Sequence, residues 1–205
     1  MKSTIIIAAL CVVLCGCNSV NQTPVAATEV ASQKKAVFLG DSITHCWDLS
    51  SQFPGAQLIN KGIPGDLTSD MLRRFDVDVI QLQPQVVVIL GGTNDIIRSL
   101  ATQDQSMINM QAMFSKAQAA GIQVVVGTLP PVAPNISDLG FGNLDFEPVI
   151  ANYNQALNSL GVPIADYHQV LTGPAGLPIS GVLKDGVHPT QDGYNRMASV
   201  IAPMI

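Results

Sequence analysis

Short apolar runs recur along the chain from residue 36 onward, and amphipathic stretches separate them. The runs are apolar at nearly every position, as in parallel strands that are covered on both faces of a sheet. They predict five strands, at "AVFLG" (36–40), "QLIN" (57–60), "VVVIL" (86–90), "QVVVGTL" (123–129) and "VPIAD" (162–166).

The stretches between the runs have the spacing of helices. Met107, Met110 and Phe114 recur at three and four residues, which predicts a core-facing stripe, and Gly121 and Gly161 follow two of these stretches as helix stops. Helices are predicted at 67–82, 103–121, 147–161 and 190–205. The alternation predicts an α/β protein, a three-layer α/β/α sandwich around a five-stranded parallel sheet, with function at the carboxyl ends of the strands.

The N-terminal segment is predicted to lie outside this domain. "MKSTIIIAALCVVLCGC" has a basic start at Lys2 and an apolar stretch that is too short to span a membrane. Its ending, "LCGC", resembles the bacterial lipoprotein signal, which implies cleavage before Cys17, acylation of its thiol and anchoring to a membrane of the cell envelope. An ordinary secretory signal is the alternative. The predicted divisions are a signal peptide (1–16), a flexible tether (17–33) and a folded domain (34–205).

The composition and charge of the chain argue for a folded protein that does not bind nucleic acid. Of 205 residues, 47% are hydrophobic and 12% charged, which argues against disorder. The net charge is −5 without a basic cluster, so nucleic acid is not an expected partner. Cleavage would leave Cys46 as the only cysteine besides Cys17, so no internal disulfide is expected if Cys17 is lipidated. No nucleotide motif and no close histidine pair occur, so neither a cofactor nor a metal ion is expected.

Four short motifs follow predicted strands. They are "GDSIT" (40–44), "NKGIPGD" (60–66), "GGTND" (91–95) and "DGVHP" (185–189). Each is weak alone, and Ser42 by itself is better explained as a helix cap. Together they supply an acyl-transfer site: Ser42 as nucleophile, His188 as base, Asp185 to orient the imidazole, and Asn94 with backbone N–H groups for an oxyanion.

In this order the motifs resemble the four blocks of the SGNH (GDSL) hydrolase family, over residues 35 to 202. The resemblance implies that Ser42 is the nucleophile, His188 the base and Asp185 its orienting acid. It also implies an oxyanion hole of the Ser42 N–H, a glycine and Asn94. The glycine matches Gly62 or Gly65, and Gly65 is preferred. The family fold implies a flavodoxin-like sheet in the order 2-1-3-4-5.

The resemblance implies a carboxylic ester hydrolase that works through an acyl-enzyme. No long apolar lid is inserted, so a small acyl group such as acetyl is expected, and the loop at 130–148 is expected to lie over the site and to contact substrate through Phe141. A lysophospholipase or thioesterase for longer chains is the alternative enzyme. A surface-binding lipoprotein without activity is the alternative from another class.

Other polar residues near the motifs have simpler interpretations. Asp41 and Asp95 are expected to bind loop backbone and not to take part in chemistry. His45 follows the serine by one helical turn, so that lining the pocket and lying on the surface are both open. His168 and Cys46 have no evident partner in the sequence.

Overall fold

The computed structural model of the chain describes residues 34–99, 101–136, 139–140, 144–174 and 176–205. The predicted signal peptide, the tether and Cys17 therefore lie outside the described residues, as does Phe141. Among the helices that are described, none is both long and apolar enough to cross a membrane.

A parallel five-stranded sheet has the strand order β2-β1-β3-β4-β5, which confirms the order that the family resemblance implied. The strands are β1 (Ala36–Gly40), β2 (Leu58–Gly62), β3 (Val86–Leu90), β4 (Gln123–Gly127) and β5 (Ile164–Ala165). Gly40 at the end of β1 pairs with Gly62 of β2 and with Leu90 of β3. The residues after these three strands are thus brought to one edge of the sheet.

Helices flank the sheet, with α3 packed against α5 and α7 against α8. They are α1 (Ser42–His45), α2 (Leu49–Gln52), α3 (Thr68–Asp78), α4 (Thr93–Ile97), α5 (Gln103–Ala119), α6 (Glu147–Leu157), α7 (Tyr167–Leu171) and α8 (Gln191–Ile201). Single 3₁₀ turns occur at Ile80–Leu82, Asn158–Leu160 and Ala202–Met204. The sequence did not predict α2, α4 and α7, which are too short to carry a helical periodicity.

The last two strands are shorter than their apolar runs. β4 stops before Leu129 because Asn154 of α6 binds the Leu129 backbone instead. Its Oδ1 accepts from the Leu129 N–H at 2.8 Å, and its Nδ2 donates to the Leu129 carbonyl at 3.0 Å. β5 has only two residues at the edge of the sheet, next to Pro163, which has no N–H to give to a ladder.

Helix ends and faces agree with the sequence in part. The glycines predicted to end α5 and α6 have φ values of +70° and +69°, the left-handed conformation expected there. The sequence offers Asp66 or Thr68 as a cap for α3, and this prediction is wrong. The N-cap is Leu67, whose N–H donates to Asp70 Oδ2 at 3.0 Å.

The predicted core stripe of α5 is shifted around the helix. Met110 is buried as expected, but Met107 and Phe114 are only partly buried. Met113 is fully buried. The stripe therefore reaches the core through Met110 and Met113, while its two predicted neighbours pack at the margin.

Candidate active site

Ser42 lies where β1 ends and α1 begins. Asp41 is the N-cap of α1, and its Oδ1 accepts a hydrogen bond from the Ile43 N–H at 2.8 Å. The turn requires Gly40, because a Cβ there would lie 2.0 Å from Thr44 Oγ1. Ser42 is thus the first residue of α1, whereas the cap that its sequence context suggested is Asp41. Ser42 is partly exposed at the carboxyl edge of the sheet.

Contacts from two other elements hold α1 in place. The Tyr194 hydroxyl of α8 donates to the Ile43 carbonyl at 2.7 Å, and burial raises the pKa of Tyr194, which keeps this donor protonated. Asn60 of β2 donates to the carbonyls of Thr44 and Trp47 at 2.7 and 3.0 Å. The position of the serine is therefore fixed from both sides of α1.

The structure brings Ser42, His188 and Asp185 into one line of contacts. His188 Nε2 lies 2.8 Å from Ser42 Oγ, and His188 Nδ1 lies 2.7 Å from Asp185 Oδ2. When Nδ1 carries the proton, it donates to the carboxylate and leaves Nε2 free to accept from the serine hydroxyl. This arrangement can remove a proton from Ser42 as its oxygen attacks.

The loop before α8 holds Asp185 in place independently of the imidazole. Asp185 Oδ1 accepts from the backbone N–H groups of Val187 and His188 at 3.1 and 2.8 Å. Partial burial disfavours the ionised form, but these bonds and the His188 ring outweigh it and hold the pKa of Asp185 below its usual value. Gly186 has a φ of +86°, and a Cβ there would lie 2.7 Å from Ile136 Cγ2. The loop therefore keeps a charged carboxylate against the imidazole.

The sequence left Gly62 and Gly65 open as the glycine donor. The Gly62 N–H is already bonded to Asn60 Oδ1 at 2.9 Å, and a Cβ at Gly62 would lie 2.1 Å from the His45 backbone nitrogen. Gly65 has a φ of +84°, and its N–H has no hydrogen-bond partner within the described residues. Gly62 thus permits α1 to pack closely on β2, whereas Gly65 retains an uncommitted donor.

Asn94 stands at the start of α4, buried beside the turn after β1. Its Nδ2 donates to the Asp66 carbonyl at 3.1 Å and more weakly to Asp41 Oδ2 at 3.4 Å. The Ser42 N–H makes no hydrogen bond in the part of the chain that is described. The Ser42 N–H is therefore an uncommitted donor beside the serine hydroxyl, whereas the Asn94 amide lines the same cavity with acceptors already bound.

The pKa of Asp41 is raised, whereas the pKa of Asp185 is lowered. Burial is the largest influence and raises its pKa from 3.8 to about 7. The Ile43 N–H opposes this rise, and the nearby carboxylates of Asp95 and Asp66 add to it. Near neutral pH the Asp41 carboxyl is partly protonated, so that its interaction with the Asn94 amide changes with pH.

Asp95 is bound within a buried network that fixes α4. Its Oδ2 accepts from the Thr68 N–H at 3.0 Å, and its Oδ1 accepts from the hydroxyls of Thr68 and Ser106 at 2.6 and 2.7 Å. The backbone contact is the kind that the sequence predicted, while the two hydroxyl donors were not foreseen. Because Asp95 follows Asn94 directly, this network also fixes the amide donor.

Arg74 of α3 supports the site, and sequence reasoning missed it. Its Nη2 donates to the Gly40 carbonyl at 2.9 Å, and its Nη1 donates to the Lys61 carbonyl at 2.9 Å. Its Nε donates to Asp66 Oδ2 at 2.7 Å. One guanidinium thus joins the end of β1 to the segment after β2. The only signal in the sequence is Asp78, one turn later on the same helix, which pairs with Arg74 at 2.8 Å.

A cavity of about 380 Å³ opens over the serine. Ser42, Asn94 and His188 line it with Arg98 and with the apolar side chains of Ile97, Leu139 and Val187. Asp185 and Gly65 are not part of this lining. Within the described residues, the cavity therefore combines a polar floor at Ser42, with the Asp41 carboxyl, a small apolar wall and the Arg98 guanidinium.

The remaining predicted residues lie away from this cavity. His45 is exposed, with Nδ1 3.3 Å from the Gly62 carbonyl, and does not line the cavity. His168, which has no evident partner in the sequence, lies with its Nε2 2.8 Å from Glu147 Oε1. Cys46 is exposed and unpaired. Within the described residues, no group of three or more His, Cys, Asp or Glu side chains could hold a metal ion.

The chain is similar to known proteins over most of its length. Residues 38–196 match the model of the GDSL-like lipase/acylhydrolase family. A Bacteroides fragilis structure described as an acylhydrolase is 32% identical, with a TM-score of 0.74 over 83% of this chain and 86% of that one. A GDSL-like lipase from Bacteroides thetaiotaomicron is 29% identical, with a TM-score of 0.72 over 83% of this chain and 87% of that one.

A curated relative carries a more specific name. An acetylxylan esterase from Geobacillus stearothermophilus is 30% identical over a match that covers 34% of this chain and 43% of the relative. The match spans less than half of that protein's length, so it supports an esterase without fixing the substrate of this chain.

Proposed function

The chain belongs to the GDSL-like lipase/acylhydrolase family, and on this premise we propose that it is a serine esterase that hydrolyses short-chain carboxylic esters, such as acetyl esters, through an acyl-enzyme. The observation that carries the proposal is the continuous contact from Ser42 Oγ to His188 Nε2, at 2.8 Å, and from His188 Nδ1 to Asp185 Oδ2, at 2.7 Å. This contact opens onto a cavity of a size that suits a small ester.

The first half-reaction forms the acyl-enzyme. Ser42 Oγ attacks the carbonyl carbon while His188 Nε2 takes the serine proton. Asp185 keeps the ring in the required tautomer and stabilises the imidazolium. The tetrahedral intermediate then expels the alcohol oxygen, which receives the proton from His188, and the acyl group remains on Ser42.

The second half-reaction uses water in place of the serine. His188 takes a proton from water as its oxygen attacks the acyl carbon, and the new intermediate expels Ser42 Oγ, which regains the proton. Both intermediates carry a negative oxygen that the N–H groups of Ser42 and Gly65 and the Asn94 amide would bind. Asn94 would exchange its contacts with Asp66 and Asp41 for this oxygen.

The preference for a short acyl group is supported by the cavity walls. Among the described residues, Ile97, Leu139 and Val187 give the cavity of about 380 Å³ its apolar surface, which suits a few carbon atoms. The name of the Geobacillus relative points to acetyl esters in the same direction. A lysophospholipase or thioesterase would need a longer apolar channel than these three side chains provide.

A chain-length series of p-nitrophenyl esters tests the proposal. We expect kcat/KM to be highest for two- to four-carbon acyl groups and Ser42→Ala to lose activity by several orders of magnitude. Ser50→Ala, an exposed serine in α2, is the matched control and is expected to retain activity. An optimum at eight or more carbons would favour the long-chain alternative, and wild-type rates in Ser42→Ala would rule out the assigned nucleophile.

Labelling with a fluorophosphonate probe separates the esterase from a surface-binding protein without activity. We expect the folded protein to be labelled at Ser42, because the probe reacts with an activated serine hydroxyl. A folded protein that the probe does not label, and that hydrolyses none of the esters, would support the binding protein instead.

Export and lipid anchoring belong to the same proposal and depend on the sequence alone. "LCGC" is expected to direct cleavage before Cys17 and acylation of its thiol, which would hold the esterase on a membrane of the cell envelope. Metabolic labelling with a palmitate analogue should mark the wild-type protein and not Cys17→Ser. Equal labelling of the two proteins would contradict the anchor.

A further inference from the structure

Arg98 follows α4 as its C-cap and lines the cavity over Ser42. Its side chain is exposed to solvent. In the described residues, the guanidinium makes one hydrogen bond, a long contact of 3.4 Å from Nη1 to the Gly65 carbonyl. Because a guanidinium has five N–H donors, most of them remain available at the cavity wall.

Arg98 differs from the other arginines of the chain. Each of the others is paired with at least one aspartate: Arg73 with Asp70, Arg74 with Asp66 and Asp78, and Arg196 with Asp192. Within the part of the chain that the structure describes, Arg98 has no such carboxylate partner. An unpaired arginine at the site is notable in a chain whose net charge is −5.

Two carboxylates near the cavity are already paired with other side chains. Asp185 Oδ2 lies 2.7 Å from the His188 ring, and Asp66 Oδ2 accepts from Arg74 at 2.7 Å. Asp41, which also lines the cavity, is almost fully buried and is bonded to the Ile43 N–H. Arg98 is therefore the arginine of the cavity lining, and within the described residues no carboxylate pairs with its guanidinium.

We propose that Arg98 is a specificity-determining residue that binds an anionic group, a carboxylate or a phosphate, carried by the ester substrate. This proposal rests on the proposed esterase function of the same cavity. A planar guanidinium can pair with either anion through two parallel hydrogen bonds. Because Ser42 and Arg98 line the same cavity, a small substrate with its ester carbonyl at Ser42 would bring its anionic group to Arg98.

Three acetyl esters on one aromatic frame provide the test. They are 4-acetoxybenzoate, which carries a carboxylate, 4-acetoxyphenyl phosphate, and the neutral 4-acetoxybenzamide. The measurement is the ratio of kcat/KM for each anionic ester to that for the neutral ester, so that differences in leaving-group reactivity cancel between variants. We expect Arg98→Gln to lower this ratio about tenfold, mainly through a higher KM.

Two further variants sharpen the result. Arg98→Lys keeps the charge without the planar fork and should retain part of the preference. Arg196→Gln removes a partly exposed arginine on α8, outside the cavity lining, and should leave the ratio at its wild-type value. The carboxylate and phosphate esters report which anion the site prefers. Titration of active sites with a fluorophosphonate corrects all rates for the fraction of folded protein.

The outcomes separate this inference from the esterase proposal. If hydrolysis requires Ser42 but Arg98→Gln leaves the ratio unchanged, Arg98 does not select anionic substrates and only this inference fails. If Arg98→Gln slows the anionic and neutral esters equally, Arg98 supports the Gly65 segment instead, and the inference is again overturned. If wild-type and Ser42→Ala proteins act alike on all three esters, the esterase proposal itself fails.

Discussion

Two regions of the site shift the pKa of an aspartate in opposite directions. In the nucleophile turn (residues 40–44), burial raises the pKa of Asp41 to about 7. In the histidine loop (residues 183–189), partial burial of Asp185 is outweighed by backbone N–H groups and the His188 ring, which hold its pKa below the usual value. The environment and not the residue type thus decides which carboxylate is charged at neutral pH. Only Asp185 is suited to stabilising an imidazolium.

The largest effect on kcat is expected for Asp185→Asn, which removes the charged carboxylate of the histidine loop. The amide keeps the shape of the carboxylate but loses its charge and favours the wrong imidazole tautomer, so we expect kcat to fall by roughly 10⁴-fold. The measurement is steady-state hydrolysis of p-nitrophenyl acetate, normalised to folded protein. Asp192→Asn, an exposed aspartate on α8, is the control and should retain wild-type kcat. A loss of less than tenfold in Asp185→Asn would remove Asp185 from the proposed mechanism.

Asp41→Asn should change stability, and its effect should depend on pH. Folded Asp41 holds its proton up to a pKa of about 7, whereas the unfolded chain releases it near 3.8. The stability that Asp41 contributes is therefore complete below the unfolded pKa and is lost as pH rises through the folded pKa. Asp41→Asn lacks this loss, so its stability relative to wild type should improve between pH 4 and pH 8, by up to about 4 kcal/mol.

Urea unfolding at several pH values measures this trend. Asp185→Asn provides the opposite case, because a lowered folded pKa gives stability that is present above the unfolded pKa and is lost as pH falls through the folded pKa. Wild type and Asp185→Asn should therefore converge in acid, whereas wild type and Asp41→Asn should diverge as pH rises. Parallel curves for wild type and Asp41→Asn would contradict the assigned burial of the Asp41 charge.

Asn94→Ala removes the side-chain amide of α4 that contacts Asp41 in the nucleophile turn. Removing one oxyanion donor typically lowers kcat by roughly 10² to 10³-fold, and we expect a loss in this range with KM little changed. Asn195→Ala on the outer surface of α8 is the matched control. Wild-type kcat in Asn94→Ala would show that its amide does not bind the developing oxyanion.

The fold and the contact among Ser42, His188 and Asp185 could be predicted because both follow from local sequence patterns. The apolar runs of β1 and β3 match the observed strands, and four motifs mark Ser42, Asn94, Asp185 and His188. Hydrogen bonds to backbone carbonyls cannot be predicted from the sequence in this way, because every residue has the same backbone carbonyl whatever its side chain. Arg74 was missed for this reason, since it binds the carbonyls at the ends of two strands.

The early end of β4 was unpredictable for a related reason. Asn154, which lies 25 residues after Leu129 in the chain, takes over both backbone groups that would have continued the ladder. The charge state of Asp41 also depends on long-range burial and on Asp95, which only the fold brings near. Tertiary contacts of this kind override local propensity.

The smallest but most selective effect on kcat is expected for a substitution of Arg74, because Arg74 supports the nucleophile turn and does not touch the histidine loop. Arg74→Lys keeps the charge but loses the planar fork that binds Gly40 and Asp66 together. We expect kcat per fluorophosphonate-titrated site to fall about tenfold with KM nearly unchanged, because a small displacement of the serine is costly in rate. Arg73→Lys, its exposed neighbour on α3, should behave as wild type. If Arg74→Lys lowers only the number of titratable sites, Arg74 stabilises the fold without positioning Ser42.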